Sequence, residues 1–184
     1  MSFEHPSAIE RFVENIYCYR LARPRYKKYV DRMRIKGDET ILDFGCGGGA
    51  SSKPLFDKLS DKGMLICLDT SLRWLNKAKK RFGQRENVVF INKDIAEAGI
   101  ANESIDLISM TYVLHDISKK RQAEIVRLLS EKLRKNGMIA IREPTKPHHG
   151  IHPSEIHKLM KENNLKNVQK ENEKSTFFGL FIKQ

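Results

Sequence analysis

Short apolar runs alternate with segments of helical periodicity along most of the chain. The first three runs are Glu39–Gly45, Met64–Asp69 and Asn87–Asn92. Apolar runs of this length are typical of strands that are buried on both faces of a sheet. Two further runs, Ser104–Met110 and Met138–Glu143, have the same character. The pattern therefore predicts at least five buried strands.

The segments between these strands have apolar residues at helical spacing. After the second strand, Ser71 can serve as the N-cap of a helix that Gly83 ends. Another helix is predicted from Ser118 to Lys135, closed by Gly137. Alternation of strands and helices predicts a parallel sheet with crossover helices.

Both ends of the chain depart from this alternation. Two helices, Ser7–Tyr19 and Arg25–Arg34, are predicted before the first strand, separated by Pro24. After a helix at Ser154–Asn163, two apolar runs are joined by a short polar turn. Because no helix separates these last two strands, they must be antiparallel.

These elements predict an α/β fold with a doubly wound, mostly parallel seven-stranded sheet and an antiparallel C-terminal hairpin strand. The length of 184 residues and the 40% hydrophobic content fit one globular domain. We therefore expect a single domain over 1–184, in which 1–37 form an N-terminal helical cap on a core of 38–184.

The net charge of +11 raises the question of a polyanionic partner such as RNA or an anionic membrane surface. We favour a solvated basic surface and keep the polyanion as the alternative. The basic residues cluster in the N-terminal region, at Arg20, Arg23, Arg25, Lys27, Lys28, Arg32, Arg34 and Lys36, and in the helix after the second strand, at Arg73, Lys77, Lys79, Lys80, Arg81 and Arg85.

Nothing in the sequence predicts export or a membrane span. No apolar run approaches the roughly 18 residues that a membrane helix needs, and Met1–Glu10 has no basic segment followed by an apolar one. The cysteines Cys18, Cys46 and Cys67 form no CxxC pair. We expect a cytoplasmic protein without disulfides.

The strongest local motif is DFGCGGG, in which Gly45, Gly47 and Gly49 follow the first strand. Glycines at such a turn allow a ligand to approach the backbone closely and accept positive φ angles. Asp69 ends the next strand, where a carboxylate can accept both hydrogen bonds from a ribose diol. Gly45, Gly47 and Ala50 also satisfy the GxGxxA variant of nicotinamide and flavin proteins, so the loop alone leaves both classes open.

With Asp43 two residues before Gly45, the motif resembles the DxGxGxG pattern of the class I S-adenosylmethionine-dependent methyltransferases, which have a Rossmann-like fold. The similarity extends over Glu39–Lys183. It includes KDI at Lys93–Ile95, the segment IDLISMTYVLHDI at Ile105–Ile117 and the terminal hairpin.

Within that family, the chain is most similar to the small stand-alone enzymes of the ubiquinone and menaquinone methyltransferase-like group. The segment VLHDI, the strand end Glu143-Pro144 and the helix start near Ser154 carry this likeness. The resemblance implies S-adenosylmethionine as cofactor, S-adenosyl-L-homocysteine as product and a small-molecule methyl acceptor. We expect a monomer or a homodimer.

The resemblance also implies where the cofactor binds. Asp43 would lie near the amino group of the methionine part, although it could instead fix the loop. Asp69 would bind the ribose, with helix capping as its other role, and Asp94 would meet the adenine amino edge unless it is an ordinary turn residue. The expected cofactor contacts are Asp43, Gly45, Cys46, Gly47, Gly49, Asp69, Thr70, Asp94, Ile95, Met110 and Thr111.

Methyl transfer from a sulfonium is an in-line displacement that needs alignment and exclusion of water more than a general base. If a base is used, His115 is the candidate, because a neutral imidazole can take a proton near neutral pH. The other interpretation of His115 is local packing.

A second group of histidines, His148, His149, His152 and His157, suggests a metal site. Glu155 is the nearest carboxylate and no cysteine is close in sequence, so we expect no metal and favour a substrate-facing loop.

Three alternatives to a small-molecule methyltransferase stay open. One is an RNA or protein methyltransferase that holds its substrate with the basic N-terminal region. Against methylation of base amino groups, the fourth strand ends in Ser109-Met110-Thr111-Tyr112 instead of an Asn/Asp-Pro-Pro-aromatic tetrapeptide. The others are a nicotinamide-dependent oxidoreductase and a non-catalytic protein that binds the cofactor or RNA.

Overall fold

The computed structural model describes residues 22–146, 149–173 and 175–184. The predicted helix Ser7–Tyr19 lies outside these residues. The strands are β1 Thr40–Phe44, β2 Met64–Leu68, β3 Val88–Ile91, β4 Ile105–Thr111, β5 Leu133–Pro144, β6 Leu165–Glu173 and β7 Thr176–Lys183. The helices are α1 Arg23–Asp31, α2 Ser52–Phe56, α3 Leu72–Phe82, α4 Lys119–Lys132 and α5 Pro153–Lys161, with 3-10 turns at Ile95–Glu97 and Leu114–Asp116.

The seven strands form one sheet in the order β3-β2-β1-β4-β5-β7-β6. Six strands run in one direction, and β7 pairs antiparallel with both β5 and β6. The predicted α/β fold class, with its antiparallel C-terminal hairpin strand, is confirmed. The order of strands along the chain reverses between β1 and β4, which is where open α/β sheets bind ligands.

Alternate residues of the central strands pack against helices on opposite faces of the sheet. Leu42 and Ile108 are fully buried on the face that α4 and α5 cover. Ile41 and Leu107 lie on the other face with α1, α2 and α3. Burial on both faces explains why these strands are continuous apolar runs.

The local signals for α3 are confirmed. The Ser71 hydroxyl accepts a hydrogen bond from the backbone N–H of Trp74, 3.5 Å away, and Gly83 ends the helix with φ of 63°. The predicted start of α1 at Arg25 is two residues late, because the helix begins at Arg23 and includes Pro24. Pro24 lies in the first helical turn, where a residue without an N–H is tolerated because that N–H has no helical partner.

The prediction that Gly137 closes a helix from Ser118 to Lys135 is wrong. Helix α4 ends at Lys132, and β5 already begins at Leu133, whose fully buried side chain pairs with Ile105. The next pair is Leu107 with Met138, so two residues along β4 correspond to five along β5. The extra residues of β5 form a bulge. A Cβ on Gly137 would be 2.9 Å from the carbonyl oxygen of Arg134. Gly137 therefore permits a bulge inside the strand.

Among the described residues, no helix is both long enough and apolar enough to cross a membrane.

Candidate active site

A cavity of about 690 Å³ opens at the carboxyl ends of β1, β2 and β4. Its position is the point of the sheet at which the strand order reverses. Eight of the eleven residues expected to contact a cofactor line it. They are Gly45, Cys46, Gly47, Asp69, Thr70, Asp94, Ile95 and Thr111.

Asp43 lies behind the cavity wall at the end of β1 and is 1% exposed. One carboxylate oxygen, Oδ2, accepts hydrogen bonds from the hydroxyls of Ser51 (3.0 Å) and Ser52 (2.6 Å). Its other oxygen, Oδ1, is buried without a hydrogen-bond partner among the described residues. Burial raises the pKa of Asp43 to about 6, and the serine hydroxyls oppose the shift. The loop is thus anchored on a carboxylate that retains one acceptor for a ligand.

The three motif glycines have different surroundings. Gly45 has φ of 67°, and a Cβ there would lie 2.5 Å from a methyl of Val113. Gly47 has φ of 52°, and a Cβ there would meet nothing within 4 Å, so this position faces open space. Gly49 lies against α3, with its would-be Cβ 3.4 Å from the Cβ of Ala78. Gly47 therefore provides room on the cavity side, and Gly49 permits close helix packing.

Cys46 lines the cavity, but its thiol is buried beside that of Cys67. The neighbouring Cys67 thiol and burial both raise the pKa of Cys46. The thiol therefore stays protonated near neutral pH and is a poor nucleophile.

Asp69 connects the glycine loop to α3. Its Oδ2 accepts a hydrogen bond from the backbone N–H of Gly47 and its Oδ1 one from that of Ser71, both at 2.8 Å. The Asn92 side-chain amide donates to the carbonyl oxygens of Asp69 and Thr70, each at 2.9 Å. Asp69 therefore lines the cavity and holds the glycine loop next to the start of α3.

Asp94 caps the 3-10 turn Ile95–Glu97 by accepting a hydrogen bond from the Ala96 N–H at 3.1 Å. Its second oxygen pairs with the guanidinium of Arg121, on α4, at 3.0 Å. Arg121 also lines the cavity. This pair brings two sequence-distant elements together at the rim.

Met110 and Thr111 occupy different environments although they are adjacent in β4. Met110 is fully buried in the apolar core, whereas Thr111 lines the cavity. Alternation along a strand sends neighbouring side chains to opposite faces, and here one of those faces meets the cavity.

His115 lies in the 3-10 turn after β4, outside the cavity wall. Its Nδ1 is 2.7 Å from Oε2 of Glu143, which is fully buried in β5. The other oxygen of Glu143 accepts hydrogen bonds from the N–H groups of Val113 (2.9 Å) and Leu114 (2.7 Å). The hydrogen bond to Glu143 raises the pKa of His115. The imidazole Nε2 is 3.5 Å from Asp116, which does line the cavity.

The other histidines do not converge. The ring of His149 contacts that of His115 edge to face, His152 caps α5, and His157 packs against Phe177 and Phe181. His148 lies outside the described residues. Within the described ranges, no three His, Cys, Asp or Glu side chains form a group that could hold a metal ion.

Several cavity residues were not predicted from the sequence. Trp74, on α3, and Tyr26, on α1, line the wall together with Arg121 and Ser118. Trp74 falls outside the apolar stripe of its helix, which was the available signal for a ligand-facing role. For Tyr26 and Arg121, sequence periodicity carried no such signal, because it cannot tell which helix end faces the loop after β1.

Comparison with known proteins agrees with this geometry. A family model described as a methyltransferase domain matches residues 41–137, more than half of the chain. The chain is 31% identical over 88 residues to the ribosomal RNA small subunit methyltransferase H of Clostridium botulinum, covering 48% of this chain and 28% of that protein. The chain therefore spans less than a third of that relative's length.

Two solved structures show the same fold. A methyltransferase dependent on S-adenosylmethionine from Aquifex aeolicus superimposes with a TM-score of 0.74 at 18% identity, covering 97% of this chain and 98% of that one. An N-methyltransferase from Bradyrhizobium japonicum, solved with S-adenosyl-L-homocysteine, gives 0.74 at 16% identity, covering 90% and 88%. The expected resemblance is confirmed at the level of the family, and S-adenosylmethionine is the cofactor that these neighbours support. The chain belongs to the methyltransferase-domain family and has the fold of class I S-adenosylmethionine-dependent methyltransferases.

Proposed function

We propose that this protein transfers a methyl group from S-adenosylmethionine to a small-molecule acceptor. The observation that supports this best is the cavity of about 690 Å³ at the switch point of the sheet. Pockets of this size are typical of small-molecule and cofactor sites.

The residues at this cavity fit the donor. The unpartnered Oδ1 of Asp43 and the open space beside Gly47 suit an ammonium group approaching the loop. Asp69 and Thr70 at the end of β2 suit a ribose diol. Bound S-adenosylmethionine supplies an electrophilic methyl group on a sulfonium sulfur.

The chain itself must align the acceptor and exclude water. Thr111 and Tyr112, at the end of β4, and Tyr26, on α1, line the cavity and are suited to this task. The His115–Glu143 pair reaches the wall through Asp116. We propose that its first role is to hold the loop after β4, and His115 stays the candidate base for an acceptor that must lose a proton.

A second candidate is methylation of RNA. The net charge of +11 and the partial similarity to a ribosomal RNA methyltransferase favour it. The match covers a limited part of both chains, so it does not extend that protein's substrate to this one.

The first experiment is calorimetric titration with S-adenosylmethionine and, separately, with NADH. We expect S-adenosylmethionine to bind with micromolar affinity, the Asp69→Ala variant to lose that binding, and the exposed Asp61→Ala variant to retain it. Binding of NADH alone would support the oxidoreductase alternative, and no binding of either ligand would contradict the proposal.

The acceptor class needs a second measurement. With methyl-labelled S-adenosylmethionine and a cell extract, we expect label in the low-molecular-weight fraction and unchanged labelling after nuclease treatment. Label that is recovered in RNA and lost on nuclease treatment would favour the second candidate.

A further inference from the structure

A second cavity, of about 570 Å³, adjoins the cofactor cavity at Tyr112, which lines both. Four of its eight lining residues are cationic, and none of the described lining residues is acidic. The cationic residues are Arg25, Lys28 and Arg32 of α1 and Arg142 of β5. Ser175 and Thr176 contribute hydroxyl groups to the lining.

Helix α1 places its basic residues at this cavity by simple periodicity. Arg25, Lys28 and Arg32 are three and four positions apart and share one face of the helix. On the same face, Tyr29 is buried, and its hydroxyl donates a hydrogen bond to the carbonyl oxygen of Ala140 at 3.0 Å. Tyr29 thus attaches α1 to β5 and holds the basic face over the cavity.

Arg142 is the least exposed of the four cations at this cavity. It is 9% exposed and lines the cavity, whereas Arg25 and Lys28 are exposed. Its guanidinium carbon lies 5.1 Å from the ring centre of Tyr112 and 5.9 Å from that of Tyr29. Cation–π contacts compensate only part of the cost of burying a charge. A counter-anion in the cavity would supply the rest.

Tyr112 links this charge to the transfer site. It has φ of 57°, which is unusual for a bulky residue, and its N–H donates to the carbonyl oxygen of Arg142 at 2.8 Å. Tyr112 thus contacts the guanidinium of Arg142 with its ring and also lines the cofactor cavity. Strain held at such a position is typical of functional sites.

We propose that the methyl acceptor is a small anion whose carboxylate or phosphate group binds Arg142 in the second cavity, while its nucleophilic atom extends past Tyr112 toward the cofactor. The inference rests on the proposed function and names the substrate class of that site. A planar guanidinium suits either anion because it can donate two parallel hydrogen bonds.

The transfer balances without a further reactant. A bond forms between the acceptor's nucleophilic atom and the methyl carbon, and the carbon–sulfur bond breaks with its electron pair left on sulfur. Where the acceptor atom must lose a proton, the proton passes to the candidate base His115, or directly to solvent.

An RNA substrate fits this cavity less well. Phosphates of a polymer would contact the exposed Arg25 and Lys28 but would not need a guanidinium that is 9% exposed. A terminal anionic group on a small molecule can enter the cavity and reach it.

The test uses inorganic phosphate and acetate as minimal anions, at constant ionic strength, with NMR detection of arginine side-chain Nε–H signals. We expect the arginine signal that is absent in Arg142→Met to shift saturably in the wild type. The anion with the higher affinity identifies the headgroup. The matched control, Lys27→Met, removes an exposed cation of α1 that lies outside the cavity, and should leave the titration unchanged.

Two further variants guard against misfolding. In Arg25→Gln/Lys28→Gln, both changes are on exposed side chains, and anion affinity should fall about fivefold, the order expected for lost charge-assisted contacts. Arg142→Lys keeps the charge and should retain weaker binding. The proposal would be overturned if no arginine signal of the wild type shifted saturably. It would also be overturned if single-stranded RNA competed with phosphate and bound the wild type and Arg142→Met equally well.

Calorimetry with S-adenosylmethionine separates this inference from the proposed function. Cofactor binding that is retained in Arg142→Met while anion binding is lost supports the acceptor site. Absence of cofactor binding in the wild type would instead contradict the proposed function.

Discussion

Asp43 is a buried acid whose ionisation is costly without a partner cation. Its pKa of about 6 lies above the ordinary value of 3.8, because burial disfavours the charged form. A raised carboxyl pKa contributes stability that is fully present below the unfolded value and is lost as the pH rises through the folded value. Without cofactor, we expect the wild type to lose about 2 kcal/mol relative to Asp43→Asn between about pH 4 and about pH 7.

Denaturant unfolding at several pH values measures this difference, with the exposed Asp38→Asn as the control that should show no such trend. The same ionisation should strengthen cofactor binding in the wild type as the pH rises through about 6. An unfolding difference between wild type and Asp43→Asn that is constant with pH would show that Asp43 titrates normally.

Gly47 and Gly83 form a matched pair for testing the loop. Both have positive φ, and a Cβ at either position would meet nothing within 4 Å. Alanine should cost backbone strain at both positions, and more at Gly83, whose ψ of −154° puts it in a region almost restricted to glycine. Only Gly47 lines the cavity, so we expect Gly47→Ala to weaken S-adenosylmethionine binding at least tenfold and Gly83→Ala to leave it unchanged. Equal affinities by calorimetry would place the cofactor away from this loop.

At the scale of elements, the exit of β4 is held by a buried carboxylate of β5. Glu143 accepts hydrogen bonds from Val113, Leu114 and His115 at once. Val113 in turn packs against Gly45, where a Cβ would be 2.5 Å from it. Glu143 therefore holds the loop after β4, and that loop in turn packs directly against the loop after β1.

Replacing Glu143 with Gln should separate the charge from the hydrogen bonds. The amide oxygen can still accept from Val113 and Leu114, but the negative charge that raises the pKa of His115 is gone. We expect NMR titration to show a lower His115 pKa in Glu143→Gln than in the wild type. In exposed Glu86→Gln, the pKa should stay at the wild-type value. The stability that the raised pKa contributes is present below about 6.5 and is lost as the pH rises through the folded value.

An unchanged pKa in Glu143→Gln would mean that another group sets the charge of His115. Asp116, 3.5 Å from Nε2, is then the residue to replace next.

The sequence predicted those elements whose signals are local. Ser71 and Gly83 mark the ends of α3 because caps act on neighbouring backbone groups. The start of β5 was misplaced because Gly137 looks like a helix stop, whereas its role depends on pairing with β4, about thirty residues away in sequence. The pairs His115–Glu143 and Asp94–Arg121 were missed for the same reason: each joins two elements whose contact depends on the sheet order.

At the scale of the molecule, both cavities lie where the central strands end and α1 crosses them. Tyr26 of α1 lines the cofactor cavity, and Arg25 and Lys28 line the basic one. Strands β1 and β4 are buried on both faces up to these ends. The site therefore combines the ends of buried strands with a helix that the Tyr29–Ala140 hydrogen bond attaches.

Because the cofactor cavity is built on the central strands, binding there should stabilise the whole fold. A ligand at one hundred times its Kd adds about 2.7 kcal/mol when it binds only the folded state, which raises the Tm of a chain of this size by about 5–10 °C. We expect S-adenosylmethionine and S-adenosyl-L-homocysteine to produce such a shift in thermal unfolding, and NADH to produce none. Asp69→Ala should abolish the shift, because Asp69 accepts from both the glycine loop and the start of α3. A full shift that persists in Asp69→Ala would locate the ligand elsewhere on the molecule.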